Sequence, residues 1–187
     1  DTATTEIYTL SLPTLFRSLL VVRESVTSYT AACIIEDERH TTLRNALLQT
    51  SIELIPLDEP ASVVRVDPAP GFTALVHDEL LKRHGIVLEI GRAKNKNKNP
   101  VAEKAIQELQ QELLRQNPLG GTCTPLELSI AVSRLNTRIR SRGLSAREML
   151  TQRDQFSHSQ LPISDRDLVE QQHRQRLSNH HDSAVSK

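Results

Sequence analysis

The sequence has little with which to build a covalent or cysteine-based metal framework. Its only cysteines, Cys33 and Cys123, stand in unrelated contexts, which excludes a disulfide scaffold and a zinc quartet and fits a reducing compartment. It has no surplus of charge either. Lys+Arg and Asp+Glu both number 23, so the whole chain does not announce a nucleic-acid partner and any basic footprint must be local. No long apolar run is present: the longest, SLLVVRE, is broken by charge far short of a membrane span, and no basic-then-apolar signal pattern opens the chain. Together these absences describe a soluble intracellular protein. The chain begins DTATTEIYTL without an initiator Met, and is expected to be a fragment or processed piece of something longer. Its 187 residues suffice for one ordinary domain and an appendage.

What is present reads as alternating strands and helices. LLVVRE (19–24) and SYTAACIIE (28–36) are apolar and β-branched, and the polar residues between them, the charged Arg23 and Glu24 included, make the short connection of an antiparallel hairpin. From Thr41 to Leu54 the residues Leu43, Ala46, Leu47, Thr50 and Leu54 recur at helical spacing, and prolines end the pattern. ASVVRVD is a further strand. GFTALVHDELLKRHG is expected as one helix with Phe72, Leu75, Val76 and Leu80 on its apolar face and Gly85 as its stop. IVLEIG follows as a short strand. Pro100 opens an amphipathic helix through Ala102, Ala105, Ile106, Leu109 and Leu113, and LELSIAVSRLNTRIRSR makes another. In LSAREMLTQRD, Ser145 is an N-cap and Glu148 completes a capping box. Strands alternating with helices after a hairpin define an α/β layer. The expected division is a core over residues 1–155 and a polar linker or tail over 156–187.

The segment VVRVDPAPGF sets a lone acid, Asp67, at the tip of a strand and then stops the strand with prolines and a glycine. Thirty-five residues intervene before Glu103, at the start of the amphipathic helix, and between the two lies the lysine-and-asparagine loop GRAKNKNKN. Taken singly, an Asp before prolines is a turn former, and a Glu in a helix's first turn is favoured by the helix dipole. An alternating KNKNKN is ordinarily a solvated loop. The arginines Arg134, Arg138, Arg140, Arg142, Arg147 and Arg153 form a second basic cluster. His173, His180 and His181 lack cysteine partners and fit a disordered tail better than a metal site.

In combination these features resemble the integrase catalytic core of retroviruses and LTR retrotransposons of the gypsy type, within the RNase H-like superfamily. VVRESVTSYTAACII is similar to that family's second and third strands, with Tyr29 at its aromatic position. Asp67 and Glu103 match the second and third acids of its Asp-Asp-Glu triad, and RLNTRIRSRGLSAREML resembles its downstream segment. The resemblance spans roughly residues 19 to 155. It implies an RNase H-like mixed sheet flanked by helices, a homo-oligomer, DNA as partner (element ends and target duplex), and action in the nucleus. The implied reaction is 3′-end processing and strand transfer during integration. Asp67 and Glu103 would then ligate Mg²⁺ or Mn²⁺, and Lys94, Lys96, Lys98, Asn99 and Lys104 would contact DNA. Counting back from Tyr29 at the family's spacing places the first acid at Leu10, where no carboxylate stands; Asp1 and Glu6 are the nearest. The alternative is a non-catalytic DNA-binding or assembly module descended from such a core.

Overall fold

The computed structural model describes residues 4–11, 18–55, 61–91, 100–140 and 143–185, with the main chain alone described for 4–11, 100 and 176–185. The chain divides into two compact units, residues 1–24 with 30–135, and residues 25–29 with 136–187.

The first unit holds β1 (Thr4–Ser11), β2 (Ser18–Glu24), β3 (Thr30–Ile35), α1 (His40–Ile52), β4 (Ser62–Val66), α2 (Pro70–Thr73), α3 (Glu79–Arg83), β5 (Ile86–Ile90) and α4 (Pro100–Gln116), followed by α5 (Pro125–Thr137). The strands form a five-stranded sheet in the order β3-β2-β1-β4-β5. β1, β2 and β3 are antiparallel, whereas β1, β4 and β5 run parallel. The fold is therefore the expected mixed sheet flanked by helices.

β2 is buried on both faces, as an interior strand of a covered sheet must be. Leu19 and Val21 pack with Ala105 and Leu109 of α4 and with Leu128, Ala131 and Leu135 of α5. Leu20 and Val22 alternate with them and are fully buried on the opposite face, and α1 lies against β2 and β3. The helical stripe expected for α1 is realised in buried Leu43, Ala46, Leu47 and Thr50. α4 likewise buries Ala102, Ala105 and Leu109.

Two expectations need correction. Arg23 and Glu24 belong to β2 and are buried, not part of a polar connection. The single helix expected over 71–85 is two short ones, α2 and α3, separated by the turn at 74–77. Asp78 causes the break: its carboxylate accepts from the N–H groups of Leu80 and Leu81, capping α3 afresh. The buried face accordingly runs from Phe72 and Leu75 to Leu81, while Leu80 is only half-buried. Gly85, at φ 69°, is the left-handed stop expected of it.

The second unit contains α6 (Ala146–Thr151) and α7 (Ile163–Val185) around a small core of Leu144, Met149 and Leu161. Both bonds of the Ser145–Glu148 capping box are present. α5 stops at Thr137, short of the expected helix end near residue 142. The stretch expected as linker or tail carries a helix of 23 residues, α7.

Two predictions follow from this packing. A Cβ at Gly71 would lie 2.5 Å from the Glu38 carbonyl oxygen and 2.6 Å from Leu43 Cδ1, and a backbone oxygen cannot step aside. Gly71→Ala is expected to cost about 1–3 kcal/mol, read as a lower urea midpoint at unchanged slope. Gly91→Ala, whose Cβ would meet, among the described residues, only the Val66 carbonyl at 3.4 Å, should stay within about 0.5 kcal/mol.

Burial, with a lesser contribution from Glu53, pushes the Cys33 thiol from its ordinary 9.0 up to about 11. The native state thus favours the neutral thiol. Its contribution to stability is full below pH 9, where the unfolded thiol is also neutral, and is lost as pH rises through about 11. At pH 8 the thiolate fraction is about 100-fold lower than in the unfolded chain, so native Cys33 should alkylate about 100-fold more slowly than in urea. Mass spectrometry of timed iodoacetamide quenches measures this, and equal rates would refute it.

Candidate functional site

The site is organised by one row of residues that crosses the whole sheet. In the strand registers Thr30 pairs with Arg23, Arg23 with Glu6, Glu6 with Arg65, and Arg65 with Glu89. Residues level in neighbouring strands belong to one face. That face is identified by Arg23, whose guanidinium donates to Glu108 of α4 at 2.6 Å and to the Thr30 hydroxyl at 2.9 Å. Arg65 is on the same side and donates to Glu89 at 2.8 Å.

Asp67 follows β4 immediately, two residues beyond Arg65. By the strand's period of two it continues the same side of the sheet, the side on which α4 lies against β1 and β2. The Asp67 position is fixed from both directions. Upstream, the Val66 carbonyl accepts from Gly91 N–H at 2.8 Å; downstream, the Asp67 carbonyl accepts from Ala69 N–H at 2.8 Å, and Phe72 is fully buried. The residue itself is half-buried.

Glu103 lies in the first turn of α4. It and Lys104 are exposed, while the flanking Ala102 and Ala105 are buried. Sequence and structure thus put Asp67 and the helix carrying Glu103 on one side of the sheet, with Lys104 beside Glu103. Lys94, Lys96, Lys98, Asn99 and Asp1 lie outside the described residues.

The strand register bears on the position expected for the first acid. Continuing the pairing of Glu6 with Arg65 by two residues sets Tyr8, not Leu10, abreast of Asp67. Leu10 stands two residues farther along β1, roughly 6.6 Å away, where its antiparallel partner is Leu19. Glu6 falls two residues short of Asp67 and between two arginine positions. Among the described residues no group of three or more His, Cys, Asp or Glu side chains could hold a metal ion. Asp67 and Glu103 have the hard oxygen chemistry that suits one Mg²⁺ or Mn²⁺ completed by waters.

The buried pair Arg23–Glu108 is the feature that sequence reasoning missed. The available signal was an arginine directly following the apolar run LLVV, but its partner lies 85 residues away.

This mixed sheet flanked by helices has the fold of an integrase catalytic core. Among solved structures, the catalytic core domain of BIV integrase superposes with a TM-score of 0.65 at 22% identity, covering 80% of this chain and 94% of that one. No family model and no curated protein sequence matches the chain.

If the Arg23–Glu108 pair holds α4 to the sheet, the two residues should couple. Glu108→Leu removes a carboxylate that the Arg23 guanidinium, 2% exposed, donates to and is expected to lose about 3–5 kcal/mol. The Arg23→Met, Glu108→Leu double variant should lose clearly less than the sum of the two single changes. Additive losses in urea unfolding would show that the pair does not act as a unit.

Proposed function

We propose that this chain acts on DNA as an integrase-type catalytic core of a retroelement, the class of protein that trims 3′ ends of element DNA and joins them to a target duplex. The observation that carries the proposal is the placement of Asp67, at the tip of the strand beside β1 and on the α4 side of a sheet with the integrase order. Asp67 and Glu103 are the proposed ligands for Mg²⁺ or Mn²⁺. When bound, the ion would supply charge neutralisation at the phosphate. Lys94, Lys96, Lys98, Asn99 and Lys104 are the proposed phosphate contacts, which position DNA without reading its sequence. Self-association and action in the nucleus belong to the same proposal.

A second reading of the chain as it stands is a module that binds DNA without transferring strands: continuing the Glu6–Arg65 pairing by two residues sets Tyr8 abreast of Asp67. Two carboxylates hold one ion, whereas in-line displacement at phosphorus is best served by a pair of ions about 3.5–4 Å apart.

The test has two stages. Binding to a duplex oligonucleotide should weaken with salt, and replacing Lys94, Lys96 and Lys98 by Ala should flatten the log–log salt slope by up to about three units. Absence of duplex binding even at low salt would end the functional reading. In the second stage, a 3′-hydroxyl duplex and a supercoiled plasmid are incubated with the chain and Mn²⁺. The unaltered chain is expected to be silent. Tyr8→Asp should produce nicking, Leu10→Asp less or none, and Asp67→Asn should abolish whatever appears. Robust joining by the unaltered chain that Glu6→Gln removes would show the triad to be complete through Glu6.

A further inference from the structure

Phe156, in the loop between α6 and α7, is 84% exposed, in a chain that has only three Phe, two Tyr and no Trp. It is not exposed for want of order. The preceding residue, Gln155, is bolted down three times: its N–H donates to Glu148 Oε1 at 3.3 Å, its side-chain amide donates to the Thr137 carbonyl at 3.1 Å, and its amide oxygen accepts from Ser145 Oγ at 3.1 Å. Asp154 Oδ1 accepts from the N–H groups of Phe156 and Ser157 at 2.9 and 2.7 Å. Those bonds hold the Asp154 carboxyl below its usual range, so the tip stays braced at neutral pH. Across the loop, Asp154 N–H donates to the Ser159 carbonyl, His158 N–H to the Asp154 carbonyl, and the Arg153 guanidinium to the His158 carbonyl at 3.0 Å. Leu161 then re-enters the core of the unit.

A loop braced this way holds the Phe156 backbone at the tip, with the aromatic ring exposed. Phe156 is the only apolar residue between Arg153 and Gln160; Ser157, His158, Ser159 and Gln160 are exposed hydrogen-bonding residues, and Arg153 is exposed beside them. A protein-docking surface centres on a cluster of apolar groups, which this loop lacks. One flat ring encircled by donors and an arginine matches one nucleobase with its sugar and phosphate, and every base has a face on which to stack.

We propose that the 153–160 loop is a stacking platform for an unpaired base of single-stranded DNA, with Phe156 as the stacking ring and Arg153 toward the backbone phosphate. The proposal rests on the DNA-binding reading above and adds a strand preference to it, because bases inside a duplex are already stacked and do not offer a free face.

Because the chain has no tryptophan, Phe156→Trp introduces a single indole at the tip. The full chain carrying this change is titrated with a labelled oligothymidine and separately with a duplex, following label anisotropy and indole emission together; circular dichroism checks that the variants fold. Oligothymidine should quench the indole as anisotropy rises, and duplex should quench it little. Phe156→Ala should weaken oligothymidine binding by about 5- to 100-fold and leave duplex binding within about twofold. Asp154→Ala, which unbraces the tip, should give an intermediate loss. Oligothymidine binding without quenching, or unaffected by Phe156→Ala, overturns the platform and leaves the DNA reading standing. No binding of either nucleic acid overturns both. A blue shift that grows with protein concentration alone would assign the ring to contact between copies of the chain and overturn the platform.

Discussion

A guanidinium buried in a β-sheet is tolerable only where other groups replace its water, and Arg23 dictates what surrounds it for that reason. Its Nε is met by the Thr30 hydroxyl of the adjacent strand and its terminal nitrogen by Glu108 of α4. Losing Glu108 would remove a counter-charge from a buried guanidinium, a far larger penalty than the loss of one exposed ion pair. The pair therefore does what hydrophobic contact cannot. Leu19, Val21, Ala105 and Leu109 hold α4 against the sheet, but apolar surfaces slide with little penalty, whereas Glu108 must stand over Arg23. The hydrophobic stripe gives α4 its affinity for the sheet, and the ion pair gives it its register.

The same register reaches the candidate site. The row Arg23, Glu6, Arg65, Glu89 alternates in charge across four adjacent strands. A slip of one residue in any strand would turn its members to the other face. Asp67 is two residues past Arg65, so the row sets both its height and its side. Glu103 is five residues before Glu108, about 7.5 Å along the helix axis. One buried arginine thereby fixes the side of the sheet for the strand-tip acid and the position of the helix that carries the other.

Elements whose burial repeats with the period of their own backbone were legible in the sequence. α1 and α4 announced themselves because a helix against a sheet needs an apolar residue every three or four positions, and Leu43, Ala46 and Leu47, like Ala102, Ala105 and Leu109, supply one. The Ser145–Glu148 cap was legible because it is local. The end of β2 was not, since the partner that makes Arg23 acceptable in a strand is remote in sequence. The break between α2 and α3 was hidden inside a continuous apolar pattern; Asp78 decides it by offering two backbone N–H groups a better acceptor than the preceding turn. α7 is nearly all polar, with exposed pairing such as Arg174 to Glu170, and such helices lack the stripe that periodicity detects. Of the site, the two acids and their spacing were visible, but the place of the first acid was not. Counting back from Tyr29 assumes a fixed length for the β1–β2 connection, and only the pairing of Glu6 with Arg65 sets Tyr8 beside Asp67.

That register also bears on whether Glu6 could serve in place of a missing acid. In the sheet it stands level with Arg23 on one side and Arg65 on the other, at the centre of a row whose charges alternate. Bringing residue 6 level with Asp67 would require a shift of two residues along the strand, which fixed pairing with both β2 and β4 does not permit. The sheet thus separates two positions that the sequence leaves confounded. Position 6 lies in the row that pairs across β2, β1 and β4, and continuing that register sets position 8 level with Asp67.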